Sequence, residues 1–92
     1  MKKDISWLKL AGIIADHLPT VPSLNCPRCG VPNVEFQYVG DKTTGIGFLC
    51  VWCASCLHGT HISRVKIPPQ AEYISKDSLE EVKNRIPNFQ AG

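Results

Sequence analysis

The chain has 92 residues, with 10 Lys and Arg against 8 Asp and Glu, a formal charge of +2 at pH 7. That length excludes several independent domains, and that balance argues against a protein held to its partner mainly by phosphate contacts, which needs a basic face. Hydrophobic residues make up 43% of it, a globular share, but so short a chain builds a limited core and needs a staple.

Met1-Lys2-Lys3 ahead of apolar residues has the outline of a secretion signal, but Asp4 and Lys9 interrupt the apolar run, so a cytoplasmic protein is expected. No stretch approaches the ~20 apolar residues of a membrane span. From 4 to 18, Trp7, Leu10, Ala11, Ile14, Ala15 and Leu18 recur at intervals of three and four, which predicts an amphipathic helix. Asp4 can cap its start and Pro19 ends it. Such a helix packs on the protein's own sheet, or its surplus apolar surface, Trp7 above all, docks another chain. His17, near the helix end, caps carbonyls or faces water.

Residues 20–25 read as an extended linker into a first cysteine turn, Cys26-Pro27-Arg28-Cys29-Gly30. Strand signals follow. Val34, Phe36 and Tyr38 alternate with Glu35 and Gln37, and residues 40–45 are a turn-forming connection to a second strand over 46–52, apolar on both sides. A second cysteine turn, Cys53-Ala54-Ser55-Cys56, precedes a third strand over 60–67, stopped by Pro68-Pro69. A last helix is predicted over 77–86, with Asp77 and Glu80 placed for a capping box and Leu79, Val82 and Ile86 forming a narrow apolar stripe. The chain is thus expected to be one domain, 1–92.

Cys26, Cys29, Cys53 and Cys56 carry the chemistry. Two residues between cysteines let both thiolates of a tight turn face one ion, and the 23 residues separating the pairs are enough for a hairpin that brings the turns together. Four sulfurs at about 2.3 Å suit Zn²⁺ in a closed structural site. Two such pairs fit a reducing compartment better than a disulfide scaffold, and a redox Cys-x-x-Cys needs only one pair. Cys50-Val51-Trp52-Cys53 offers a competing register, but Cys50 follows strand periodicity and reads as a small buried hydrophobe. His58 and His61 are metal-capable, so three cysteines with one histidine is a second ligand set.

Cys26-Pro27-Arg28-Cys29-Gly30 resembles the knuckle of zinc-ribbon and rubredoxin-type proteins, and Cys53-Ala54-Ser55-Cys56-Leu57-His58-Gly59 resembles the second knuckle, with its glycine two places later. The likeness spans 26–67. It implies a small zinc-stabilised α+β fold: a three-stranded antiparallel zinc ribbon flanked by an N-terminal amphipathic helix and a short C-terminal helix. The cofactor it implies is one structural Zn²⁺, with Fe as the alternative, since rubredoxin holds iron through similar ligands. The whole chain is similar in kind to small bacterial zinc-ribbon proteins of unassigned role, and proteins of that size and isolation are often inhibitors or immunity proteins paired with a toxin.

No catalytic constellation emerges: there are no distinctively paired carboxylates, no Ser-His-Asp set and no glycine-rich phosphate loop, so a binding protein without a small-molecule substrate is expected. A protein partner is favoured. The alternative partner is nucleic acid, with Arg28, Arg64 and Lys66 on phosphates and Phe36, Tyr38, Phe48 or Trp52 stacking on bases. A structural subunit of a larger assembly is the third reading.

Overall fold

The computed structural model describes residues 5–18 and 20–91, so the expected roles of Asp4 and Pro19 at the ends of the first helix lie outside the described residues. The elements run α1 (Ile5–His17), β1 (Val34–Gly40), β2 (Ile46–Cys53), β3 (His58–Lys66), β4 (Tyr73–Ser75), α2 (Leu79–Arg85) and β5 (Gln90–Ala91). The strands form one sheet in the order β4-β1-β2-β3-β5. β1, β2 and β3 are antiparallel, as the zinc-ribbon resemblance implies. The sheet as a whole is mixed, not the expected three-stranded antiparallel ribbon. β4 adds to β1 in parallel, Tyr38 opposite Tyr73, and β5 adds to β3 in parallel, His58 opposite Gln90. Both extra strands are short, two or three residues, and flank the hairpins at opposite edges.

The register sorts side chains onto two faces. Leu49, Val51 and Cys53 of β2 share a face with Tyr38 and Phe36 of β1 and Ile62 of β3. Against this face lies α1, through Trp7, Leu10, Ala11, Ile14 and Leu18, the stripe expected from their spacing. Trp7 is only 2% exposed and Ile14 fully buried, so the Trp7 ring belongs to the protein's own core and not to a docking surface. Ala15, expected on the same stripe, faces solvent. His17 Nδ1 lies 2.9 Å from the Ile13 carbonyl oxygen, the carbonyl-capping role anticipated for it.

The opposite face carries Phe48, Cys50 and Trp52 of β2 beside Gln37 and Glu35 of β1. Trp52 is covered from two sides, stacked on Phe89 at 6.1 Å with the rings 8° from coplanar and held under the Arg85 guanidinium at 5.2 Å. α2 begins at Leu79 with Ser78 at its cap position, and no side-chain hydrogen bond closes that cap. The Asp77 capping box is therefore not formed. Leu79, meant for the apolar stripe, is 67% exposed, and Arg85 instead ties the helix down through Glu35 Oε1 at 2.7 Å, Gln37 Oε1 at 3.1 Å and the Phe36 carbonyl at 3.1 Å.

After β3 the chain crosses the core face to reach β4. Ile67 and Ala71 pack on the core there, and Gly40 makes room, since a Cβ at Gly40 would strike the end of Ile67. No helix among the described residues is long and apolar enough to cross a membrane.

Candidate metal centre

The first cysteine turn follows the linker and is closed by the backbone. Gly30 N–H donates to the Cys26 carbonyl at 2.9 Å, Cys26 N–H donates to the Val31 carbonyl at 3.0 Å, and Gly30 takes φ 78°, a conformation glycine adopts without penalty. Within the turn, the amides of Arg28 and Cys29 both donate to the Cys26 sulfur, at 3.3 and 3.4 Å. The second turn repeats the plan. Leu57 N–H donates to the Cys53 carbonyl at 2.9 Å, and the left-handed residue after the second cysteine is Leu57 itself, φ 57°. Leu57 thus makes the reversal that Gly30 makes in the first turn. Gly59 serves a different need, because a Cβ there would strike the Val51 carbonyl oxygen and Trp52.

The β1–β2 hairpin brings the turns together, with Val34 opposite Cys53. Asn33 then fastens one turn to the other: its carbonyl accepts from Ala54 N–H at 2.9 Å, and its Nδ2 donates to Ser55 Oγ at 2.8 Å. The four sulfurs of Cys26, Cys29, Cys53 and Cys56 all lie within 4.8 Å of one another, so this cluster could hold a metal ion. Cys26 and Cys56 sulfurs are 3.6 Å apart, as are those of Cys29 and Cys53. Bonds of about 2.3 Å in a tetrahedron place sulfurs about 3.8 Å apart, so the cluster already has the size of a tetrathiolate site.

Its electrostatics set the sulfurs apart. Burial opposes ionisation of Cys26, but the Cys29 and Arg28 amides outweigh it and hold that thiol down to about 7. Burial pushes the Cys56 thiol up to about 12, with the neighbouring sulfurs adding to it against the opposing His58 amide. A dication held there would take the place of the retained protons, so metal uptake would release protons and tighten as pH rises.

The competing ligands stand elsewhere. Cys50 points to the face opposite Cys53, since three residues along a strand reverse the side. It is buried, and burial raises its thiol to about 11. His58 Nδ1 is 3.1 Å from the Cys56 carbonyl oxygen, and His61 packs on Phe48 with ring centroids 4.6 Å apart. Neither histidine joins the cluster.

The cations singled out in the sequence are not gathered. Lys66 pairs with Ile46 at the hairpin-loop end of β2, whereas Arg28 sits in the turn beyond Cys53 at the other end, roughly 23 Å away by strand length. Arg64 is the extra residue of a β-bulge: Ser63 faces Phe48, Val65 faces Gly47, and Arg64 between them takes φ 57°. Plain alternation along the strand would put Arg64 and Lys66 on one face with Ile62, and the bulge breaks it. Tyr38 and Trp52 are buried, unavailable for stacking on bases.

Sequence reasoning missed Arg85 as a tie between α2 and the sheet, because its only signal was a basic residue in a last helical turn. No protein-family model matches the chain, and neither a curated protein nor a solved structure matches it.

Proposed function

We propose that the chain is a non-enzymatic binding protein, shaped by one structural Zn²⁺ held by Cys26, Cys29, Cys53 and Cys56, and that it engages a protein partner. The observation that carries this is the sulfur cluster, assembled by two backbone-closed turns at tetrahedral spacing. Bound zinc would supply a fixed charge and a cross-link, and four cysteine ligands leave it no open position for water or substrate. The chain's own residues do the rest. The amides of Arg28 and Cys29 stabilise sulfur charge, and Asn33 locks the two turns in register.

Several features support a protein rather than a nucleic acid as partner. Arg28 and Lys66 lie at opposite ends of the sheet, and the Trp52 and Tyr38 rings are inside. Four thiolates and one dication add a formal −2 to the chain's +2, leaving a near-neutral molecule. Beside the centre, Val31 and Leu57 present exposed apolar side chains.

The test is a titration of the metal-loaded protein with single- and double-stranded RNA and DNA at two salt concentrations. Absence of binding at low salt is the expected result. Micromolar binding that collapses with salt and is lost on charge reversal of Arg64 and Lys66 would replace the protein-partner reading with the nucleic-acid one.

A further inference from the structure

β1 is paired along its outer edge only at residues 38–40, where β4 lies, so residues 34–37 form an open strand edge. The even-numbered residues of β1 direct their backbone groups outward: the Gly40 carbonyl accepts from Lys76 N–H, and the Phe36 carbonyl is met by Arg85 Nη2. The linker before the first cysteine turn passes nearby, but among the described residues no backbone hydrogen bond joins it to this edge. Two hollows line the edge in succession, meeting at Phe36 and Arg85. One, of about 310 Å³, reaches Leu18, Gln37 and Glu72. The other, of about 270 Å³, reaches Val21, Leu24 and Val34.

We propose that residues 34–37 of β1 are a strand-addition site, taking an extended segment of a partner protein with alternating apolar and basic side chains. This rests on the protein-partner reading and gives it a location. The added strand continues the line of β4, its backbone N–H replacing Arg85 on the Phe36 carbonyl. Alternate side chains then fall into the hollow where Val21, Leu24 and Val34 form one wall beside Ser23 and Glu35, and that apolar wall sets the apolar positions. Charge sets the others. Arg85 is neutralised by Glu35 at 2.7 Å, whereas Glu72 is exposed and has no ion-pair partner among the described residues, leaving a carboxylate for a Lys or Arg of the incoming strand. The Arg85 guanidinium is a removable cover, one of the ways proteins guard an unpaired strand edge.

The probe is a displayed library of random ten-residue peptides, panned on the metal-loaded chain, with the enriched peptides mapped by backbone hydrogen exchange. Peptides alternating apolar residues with Lys or Arg are expected, with new protection at the edge-directed amides of 34–37. Arg85→Met, which removes the competitor for the Phe36 carbonyl, should tighten binding roughly fivefold, and Glu72→Lys should weaken it roughly tenfold. An ordinary surface contact by Arg85 would give weaker binding instead. Failure to enrich any peptide overturns the site, and so does an edge-to-edge dimer of the chain that protects 34–37 without peptide. Enriched peptides that protect other amides also overturn the site, while leaving the protein-binding reading intact. Should Arg85→Met fail to fold, Glu72→Lys, which changes only an exposed side chain, decides the matter.

Discussion

Leu57 holds a conformation that glycine holds in the first cysteine turn. A branched side chain at φ 57° brings its Cβ against the following carbonyl, at a cost of about 1–2 kcal/mol. Leu57→Gly should therefore stabilise the metal-loaded protein by about 1 kcal/mol, part of the gain being offset by the looser unfolded chain. Chemical unfolding checks it, and a destabilised variant would mean that the exposed Leu57 side chain packs better than its position suggests. Cys50 makes a second test. Burial lifts its thiol from 9.0 to about 11. Below pH 9 the group is protonated in both the folded and the unfolded chain. Between the two values only the unfolded chain gives up its proton, so stability falls as pH rises, by up to about 2–3 kcal/mol. The wild type should lose that much more than Cys50→Ala between pH 8 and pH 11 in urea unfolding, and parallel curves would contradict it. Of the two, only Cys50 announces its state in the sequence. Leucine carries no left-handed signature, and Cys50 was separable from the ligands only by strand parity, which proved sufficient.

The three long strands were legible because each is its own pattern: Val34, Phe36 and Tyr38 alternate, Ile46 to Trp52 is apolar on both sides, and Pro68 closes the third. β4 and β5 were not, because two or three residues paired in parallel to distant strands leave no local periodicity. The bulge at Arg64 was equally hidden, being a property of the pairing with Gly47 and Phe48 and not of arginine. α1 was read from its stripe almost to the residue, since amphipathic spacing reports the buried face directly. α2 starts one residue later than its capping pattern predicts, with Ser78 and not Asp77 at the cap, and its anchor is Arg85 on Glu35, Gln37 and Phe36, a long-range contact. Two predictions belong here. Gly59→Ala pushes a methyl into the Val51 carbonyl and Trp52, and should cost about 1–3 kcal/mol by forcing β3 from β2. Phe89→Ala strips one cover from Trp52 and should shift its fluorescence to longer wavelength while leaving the sulfur cluster able to bind metal. An unchanged emission maximum would show that the stacked Phe89 ring does not shield the indole.

At the scale of the molecule, one cluster joins everything else. Cys26 and Cys53 are both buried members of the core that includes Trp7, Ile14, Tyr38 and Val51, so the metal centre is continuous with the packing of α1 on the sheet. β5 is tied to the same place, since Gln90 N–H donates to the Leu57 carbonyl at 2.8 Å. The four cysteines were legible from their paired spacing once strand parity had set Cys50 aside, as turn geometry needs nothing beyond neighbouring residues. The strand edge left open at residues 34–37 was not, because that depends on how Arg85 and β4 divide it between them. Metal binding that accompanies folding contributes on the order of 10–16 kcal/mol in zinc-finger peptides, as much as the whole stability of a typical small domain. The most direct measurement is a Co²⁺ titration of the fully reduced chain, followed by Zn²⁺ displacement, read by visible absorption and by circular dichroism in the same cuvette. The expected result is one Co²⁺ per chain with tetrahedral tetrathiolate bands, displacement by one Zn²⁺, and β-sheet signal that appears with the metal and is lost in Cys56→Ser. A chain that is equally folded without metal, or that takes up none, would contradict it.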